Sequence, residues 1–112
     1  MIKIKVVSDT ICPWCYIGKR NFELALKLVP NIEVSFEYST FQLDPSMPSE
    51  GVNREQYVER KFNKEHYKSI KESIKNEAIK SGISNINNTL NKIPNTFNSH
   101  RLIYWSKEEN CH

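Results

Sequence analysis

A chain of 112 residues is at most one ordinary domain, and its 38% hydrophobic and 26% charged content is that of a soluble globular protein. No apolar run approaches the ~20 residues a membrane-spanning helix needs, and the opening "MIKIKVVSDT" lacks the apolar core and small-residue cleavage site of an export signal, so a cytoplasmic location without membrane contact is expected. The net charge of +3 comes from 16 basic residues spread among 13 acidic ones with no basic patch interleaved with aromatics, which argues against nucleic acid as a partner, and three cysteines are too few for a disulfide scaffold.

Ile2, Ile4 and Val6 alternate with Lys3 and Lys5, the period-two pattern of a strand. Trp14, Gly18, Phe22, Ala25 and Val29 then recur at spacings of three and four, flanked by Ile17 and Leu28, until Pro30-Asn31 stops the pattern; this predicts an amphipathic helix, with Gly18 allowing close helix-to-strand contact. Ile32, Val34, Phe36 and Tyr38 alternate with Glu33, Ser35 and Glu37 as a second strand. Strand, helix and strand joined by short links form a right-handed βαβ unit with parallel strands.

The segment "TFQLDPSMPSEG" from Thr40 to Gly51 has the composition of a connecting loop. Beyond it Asn53 can cap a short helix carrying Tyr57, Val58 and Phe62. Asn63 can cap a longer one with Tyr67, Ile70, Ile74 and Ala78 inward and Gly82 as its stop. "SNINNTLNKIPN" reads as irregular. Asn95 then caps a last helix whose "LIYW" is apolar on nearly every side, as expected of a helix between two packed layers. The predicted organisation is residues 1–39 as a βαβ unit, 40–52 as a linking loop and 53–112 as a helical subdomain.

The chemistry concentrates in "SDTICPWCYIGKR", where two cysteines flank Pro-Trp at the strand-to-helix turn. With Pro13 in the first helical position, Cys12 is the N-cap and faces backbone amides and the positive end of the helix dipole, which favour a thiolate; Cys12 is then the attacking sulfur. Cys15, one turn on and more buried, can displace a mixed disulfide formed on Cys12, so the pair can cycle between dithiol and disulfide. Two buried core thiols remain an alternative reading. A zinc site would have to draw further ligands from His66, His100, Cys111 and His112, none of which forms a second metal-binding pair, so no metal is expected. Tyr16 after the second cysteine removes covalent haem attachment. Asp9 reads as a turn former whose carboxylate could oppose thiolate formation or relay a proton. Trp14 reads as a lip for peptide substrates or a packing residue, and His100 and Arg101 as cleft-side charge or as surface groups.

Three blocks in order, "SDTICPWCYIGKR", "FQLDPSMPSEGV" and "PNTFNSHRLIYW", resemble the DsbA-like thioredoxin-fold oxidoreductases, in particular their FrnE-type cytoplasmic branch. The resemblance implies an α/β fold in which a thioredoxin-like βαβ unit is followed by part of a helical insertion subdomain. It implies dithiol–disulfide oxidoreduction at Cys12 and Cys15, a cleft lined by Pro13, Trp14, Asn95, Thr96, His100 and Arg101, and protein or small-molecule thiols and disulfides as substrates. No bound cofactor is implied, and glutathione is a candidate redox partner. In the related glutathione-dependent isomerases serine usually replaces the first cysteine; Cys12 favours redox chemistry over that alternative. The resemblance covers only the first half of the family pattern, so the C-terminal half of the thioredoxin domain is expected to be absent, with impaired substrate recognition, an open sheet edge that invites self-association, and an inactive fragment needing a complementary chain as the non-enzyme alternative.

Overall fold

The computed structural model describes residues 1–84, 86 and 91–111. In chain order its elements are β1 (Ile2–Ser8), α1 (Pro13–Leu28), β2 (Val34–Thr40), β3 (Val52–Asn53), α2 (Arg54–Lys61), α3 (Lys64–Lys80), β4 (Lys92–Ile93) and α4 (Phe97–Glu108). They form two compact units, Met1–Pro45 with Thr96–His112, and Ser46–Asn95. The cuts at 45/46 and 95/96 differ from those read from the sequence at 39 and 52, and α4 groups with the N-terminal elements. Side-chain bonds explain the grouping: Ser99 of α4 bonds Thr10, and Lys107 bonds Glu37 of β2.

In the first unit β1 and β2 pair in parallel, in register from Ile2↔Val34 to Ser8↔Thr40. The alternation in the sequence is what this needs: Ile4, Val6, Val34, Phe36 and Tyr38 are half-buried, whereas Lys3, Lys5, Ser35 and Glu37 are exposed. Because parallel strands require a crossover, α1 is laid across the apolar face. Phe22 of α1 stacks on Phe36 with ring centroids 5.1 Å apart, and Phe36 meets Tyr38 edge-on at 4.7 Å. Such ring pairs add about 0.5–1.5 kcal/mol each beyond area burial. Ile17, 3% exposed, is the buried residue of α1, its burial contributing about 1.5–3 kcal/mol.

The inward side of α1 differs from the predicted stripe. Trp14, Gly18, Ala25 and Val29 are exposed, while Leu24 and Leu26 join Phe22 as half-buried residues. Among the described residues two strands form the sheet beneath the helix, so the surface it can cover is narrow. A Cβ at Gly18 would meet no heavy atom within 4 Å, which removes close helix–strand contact as the reason for glycine there. Helix α4 is likewise covered on one side only. Ser99, Ile103 and Ser106 are half-buried and His100 buried at spacings of three and four, yet Leu102, Tyr104 and Trp105 are 67%, 59% and 51% exposed, so "LIYW" is not enclosed between layers.

In the second unit both predicted asparagine caps are present. Asn53 Oδ1 accepts from Gln56 N at 3.2 Å to start α2, and Asn63 Oδ1 accepts from Glu65 N at 2.9 Å to start α3. The α3 helix ends as read: the Ile83 N–H reaches back to Ala78 O at 2.9 Å over Gly82, whose φ of 77° is the left-handed value glycine adopts without strain. Among the described residues of this unit, Met47, Ala78, Ser81, Ile83 and Ile93 are buried. Of the segment read as irregular, Lys92 and Ile93 pair antiparallel with Asn53 and Val52, and positions 85 and 87–90 lie outside the described residues. Asn95 does not cap α4. Its amide donates to Met47 O at 2.6 Å, and the N-cap passes to Thr96, whose carbonyl accepts from His100 N.

Candidate functional site

The turn between β1 and α1 is closed by the Cys12 N–H donating to Asp9 O at 3.2 Å. Cys12 has extended backbone angles (φ −83°, ψ 113°) and its carbonyl accepts from Cys15 N and Tyr16 N, which makes it the N-cap, with Pro13 in the first turn where a missing N–H costs nothing. The Cys12 side chain makes no capping hydrogen bond, so the helix acts on this sulfur through the partial positive charge of its N-terminus. Both cysteines are free thiols and both are half-buried, so exposure does not separate them as expected; bonding does. Burial pushes the Cys15 thiol up, the Asp9 backbone N–H draws it partly back, and the hydrogen bond to Cys12 with the charges of Cys12 and Asp9 raises it further, so the net shift is upward. Cys15 is thereby held as a thiol at neutral pH. Pro13 is half-buried beside them and Trp14 is 44% exposed.

Asp9 is the unexpected residue of the turn. It is only 4% exposed, and its carboxylate accepts from Leu43 N at 2.7 Å and lies 3.0 Å from His100 Nε2, with further hydrogen bonds from the Thr96 side chain and Ile11 N. Burial alone would push this carboxyl up, but the four donors outweigh it and hold it below the usual carboxylate range. An ionised carboxylate only accepts, so His100 Nε2 carries the proton and donates it, leaving Nδ1 as a buried nitrogen with no hydrogen-bond partner.

The residues expected to line a cleft therefore fall into three places. Cys12 and Cys15 meet at the head of α1. Thr96 and His100, far from being surface groups, converge on Asp9. Arg101 is exposed, its guanidinium 4.8 Å from the Trp105 ring and 5.9 Å from Phe97, on an open cleft of about 320 Å³ to which Thr40, Phe41, Gln42 and His100 also contribute. Asn95 belongs to the other unit. Asp9 as a link to α4 escaped the sequence reading, which saw a turn former. The available signal was a carboxylate three residues before a cysteine pair and a histidine in the third motif, but nothing local joins two residues 91 positions apart.

Among the described residues no three His, Cys, Asp or Glu side chains form a group able to hold a metal ion. His66 is exposed near Phe62, Cys111 is exposed, and His112 lies outside the described residues. No helix among the described residues is long and apolar enough to cross a membrane.

A sequence model of the DSBA-like thioredoxin domain matches residues 3–112. Over 45 residues the chain is 44% identical to the uncharacterized protein YwbO of Bacillus subtilis, a segment that is 40% of this chain and 21% of YwbO. The structure superposes with a TM-score of 0.82, at 26% identity, on the crystal structure of SCO1869 from Streptomyces coelicolor, described as a probable DsbA oxidoreductase. That match covers 98% of this chain and 48% of the other, so the chain spans about half the length of its structural relative.

Proposed function

The chain belongs to the DSBA-like thioredoxin domain family, with a thioredoxin-like mixed α/β fold, and from that premise we propose that it exchanges thiols and disulfides through Cys12 and Cys15. The observation that carries the reading is the placement of Cys12 at the N-cap of α1, hydrogen-bonded to a Cys15 that is held protonated one turn away. This asymmetry assigns the roles. Cys12, beside the helix N-terminus, attacks as thiolate; Cys15 waits.

In the reducing direction the Cys12 thiolate attacks one sulfur of a substrate disulfide. An S–S bond forms to the enzyme, the substrate S–S bond breaks, and the departing thiolate takes a proton from solvent. Cys15 then loses its proton and attacks the Cys12 sulfur. The mixed disulfide breaks, the second substrate thiolate leaves, and a Cys12–Cys15 disulfide remains, two electrons having passed from the dithiol to the substrate. Run backwards, the same steps oxidise a substrate dithiol. The proposed partners are protein or small thiols of the glutathione class in a reducing cytoplasm, and the FrnE-type branch is the proposed place within the family.

Cysteine variants test the assignment. Cys12→Ser is expected to reduce exchange with a peptide disulfide to the uncatalysed rate. Cys15→Ser is expected to retain the first attack and accumulate a mixed disulfide, read as an added mass on the intact protein. Exchange that persists in Cys12→Ser overturns the proposal.

A further inference from the structure

We propose that Asp9 and His100 act as a positioning pair for the dithiol, fixing the turn that carries the sulfurs against α4 and setting the charge that Cys15 faces. The inference rests on the dithiol reading above and adds to it two residues outside the Cys-Pro-Trp-Cys stretch. Its starting point is that the pair is costly as packing. Asp9 and His100 are 4% and 6% exposed, and burying an ionised carboxylate against an imidazole whose other nitrogen is unpartnered spends desolvation energy that two apolar side chains of the same volume would not. The geometry shows what this carboxylate does in return.

Three parts of the first unit end on Asp9. Its backbone carbonyl accepts from Cys12 N and so sets the N-cap geometry. Its backbone N–H bonds the Cys15 sulfur. Its carboxylate holds Leu43 N beyond β2, Thr96 and His100 at the start of α4, and Ile11 N within the turn. A second tie, Thr10 Oγ1 to Ser99 Oγ at 2.7 Å, fastens the adjacent residue to the same helix. The sulfur of Cys15 is thus bonded to a turn that is itself tied to α4.

Charge follows from the same arrangement. Cys15 faces the ionisable groups of Cys12 and Asp9, and Asp9 faces the imidazole of His100 together with the neutral donors of Leu43, Thr96 and Ile11. With Asp9 ionised, its negative charge opposes a second one on Cys15, and burial acts in the same sense. Cys15 stays protonated until Cys12 has been converted to a mixed disulfide, which removes the other competing sulfur charge. Asp9 and His100 are positioning residues in this scheme, since they act on the sulfurs through the turn.

The test reads Cys15 alone, in the full chain carrying Cys12→Ser and Cys111→Ser, by the rate of iodoacetamide alkylation across pH, with far-UV circular dichroism as the folding check. Asp9→Asn, which keeps an oxygen acceptor for Leu43 N and loses the charge, is expected to move the profile to lower pH and speed alkylation several-fold at a fixed neutral pH. His100→Leu is expected to raise the rate several-fold at every pH by loosening the turn, and His100→Gln, which keeps a donor to Asp9, to return it to the parent rate. A profile unmoved in Asp9→Asn overturns the proposal, as does His100→Gln behaving like His100→Leu; if Asp9→Asn does not fold, the two His100 variants decide. Because the readout is alkylation and not turnover, failure of exchange in the unmodified chain would overturn the proposed function without touching this result.

Discussion

Cys12 and Cys15 differ by one helical turn and by what surrounds them, and the same is true of their legibility. Pro13 at the first helical position and Cys12 as N-cap could be read from the sequence because capping depends on neighbours within three residues. The Asp9 bond to His100 could not, because its partners meet only after the chain has returned through α4. Its thermodynamic signature is nevertheless definite. A carboxyl lowered by folding contributes stability that is fully present above its ordinary value of 3.8 and is lost as pH falls through the lower folded value, where the carboxylate must take up a proton against its four donors. The parent chain is therefore expected to lose stability on acidification into that range more steeply than Asp9→Asn, with the two curves parallel above it. Urea melts at a series of pH values check this; identical acid slopes would contradict the assigned direction of the shift.

At the scale of elements, periodicity read the existence and order of β1, α1, β2, α2, α3 and α4, because each is long enough to show its repeat. It misread which side of α1 faces inward, since an apolar stripe states what a helix could bury and not how wide a surface awaits it. It also passed over β3 and β4, two residues each and too short to show an alternation. The glycines show the same limit. At Gly18 nothing occupies the space a Cβ would fill, so Gly18→Ala is expected to stabilise the chain by about 0.5–1 kcal/mol through helix propensity. Gly51 is the opposite case: its φ is +77° and a Cβ would lie 2.7 Å from the Ile93 carbonyl oxygen, so Gly51→Ala is expected to cost at least the ~1–2 kcal/mol of a left-handed residue, with the clash in addition. Thermal melts of the two variants should move in opposite directions.

For the molecule as a whole, the informative feature is the sheet of the first unit. Parallel sheets are ordinarily covered on both faces, and two strands alone are marginal. Here β1 pairs with β2 and with no other strand among the described residues, and Met1, Ile2 and Val7 are 74%, 51% and 59% exposed. Lys3 and Lys5 interrupt this strand with charge, a feature that discourages edge pairing without abolishing it. Isolated at high concentration the chain is expected to self-associate, and Val7→Lys to lower the associated fraction with no change in circular dichroism. Sedimentation velocity across a concentration series measures both, and an unmodified chain that stays monomeric throughout would remove the free edge as an association surface.

The 91-residue separation between Asp9 and His100 also has a consequence in time. A ribosome adding about 5–20 residues per second makes Cys12 and Cys15 roughly 4–18 seconds before it makes His100. Strand, turn and first helix are local and can assemble in that interval, whereas the contact that closes over Asp9 must await the synthesis of α4. During synthesis the two sulfurs therefore exist first as an unsupervised pair, open to whatever oxidant the surroundings hold, and acquire their electrostatic setting only once α4 has been made.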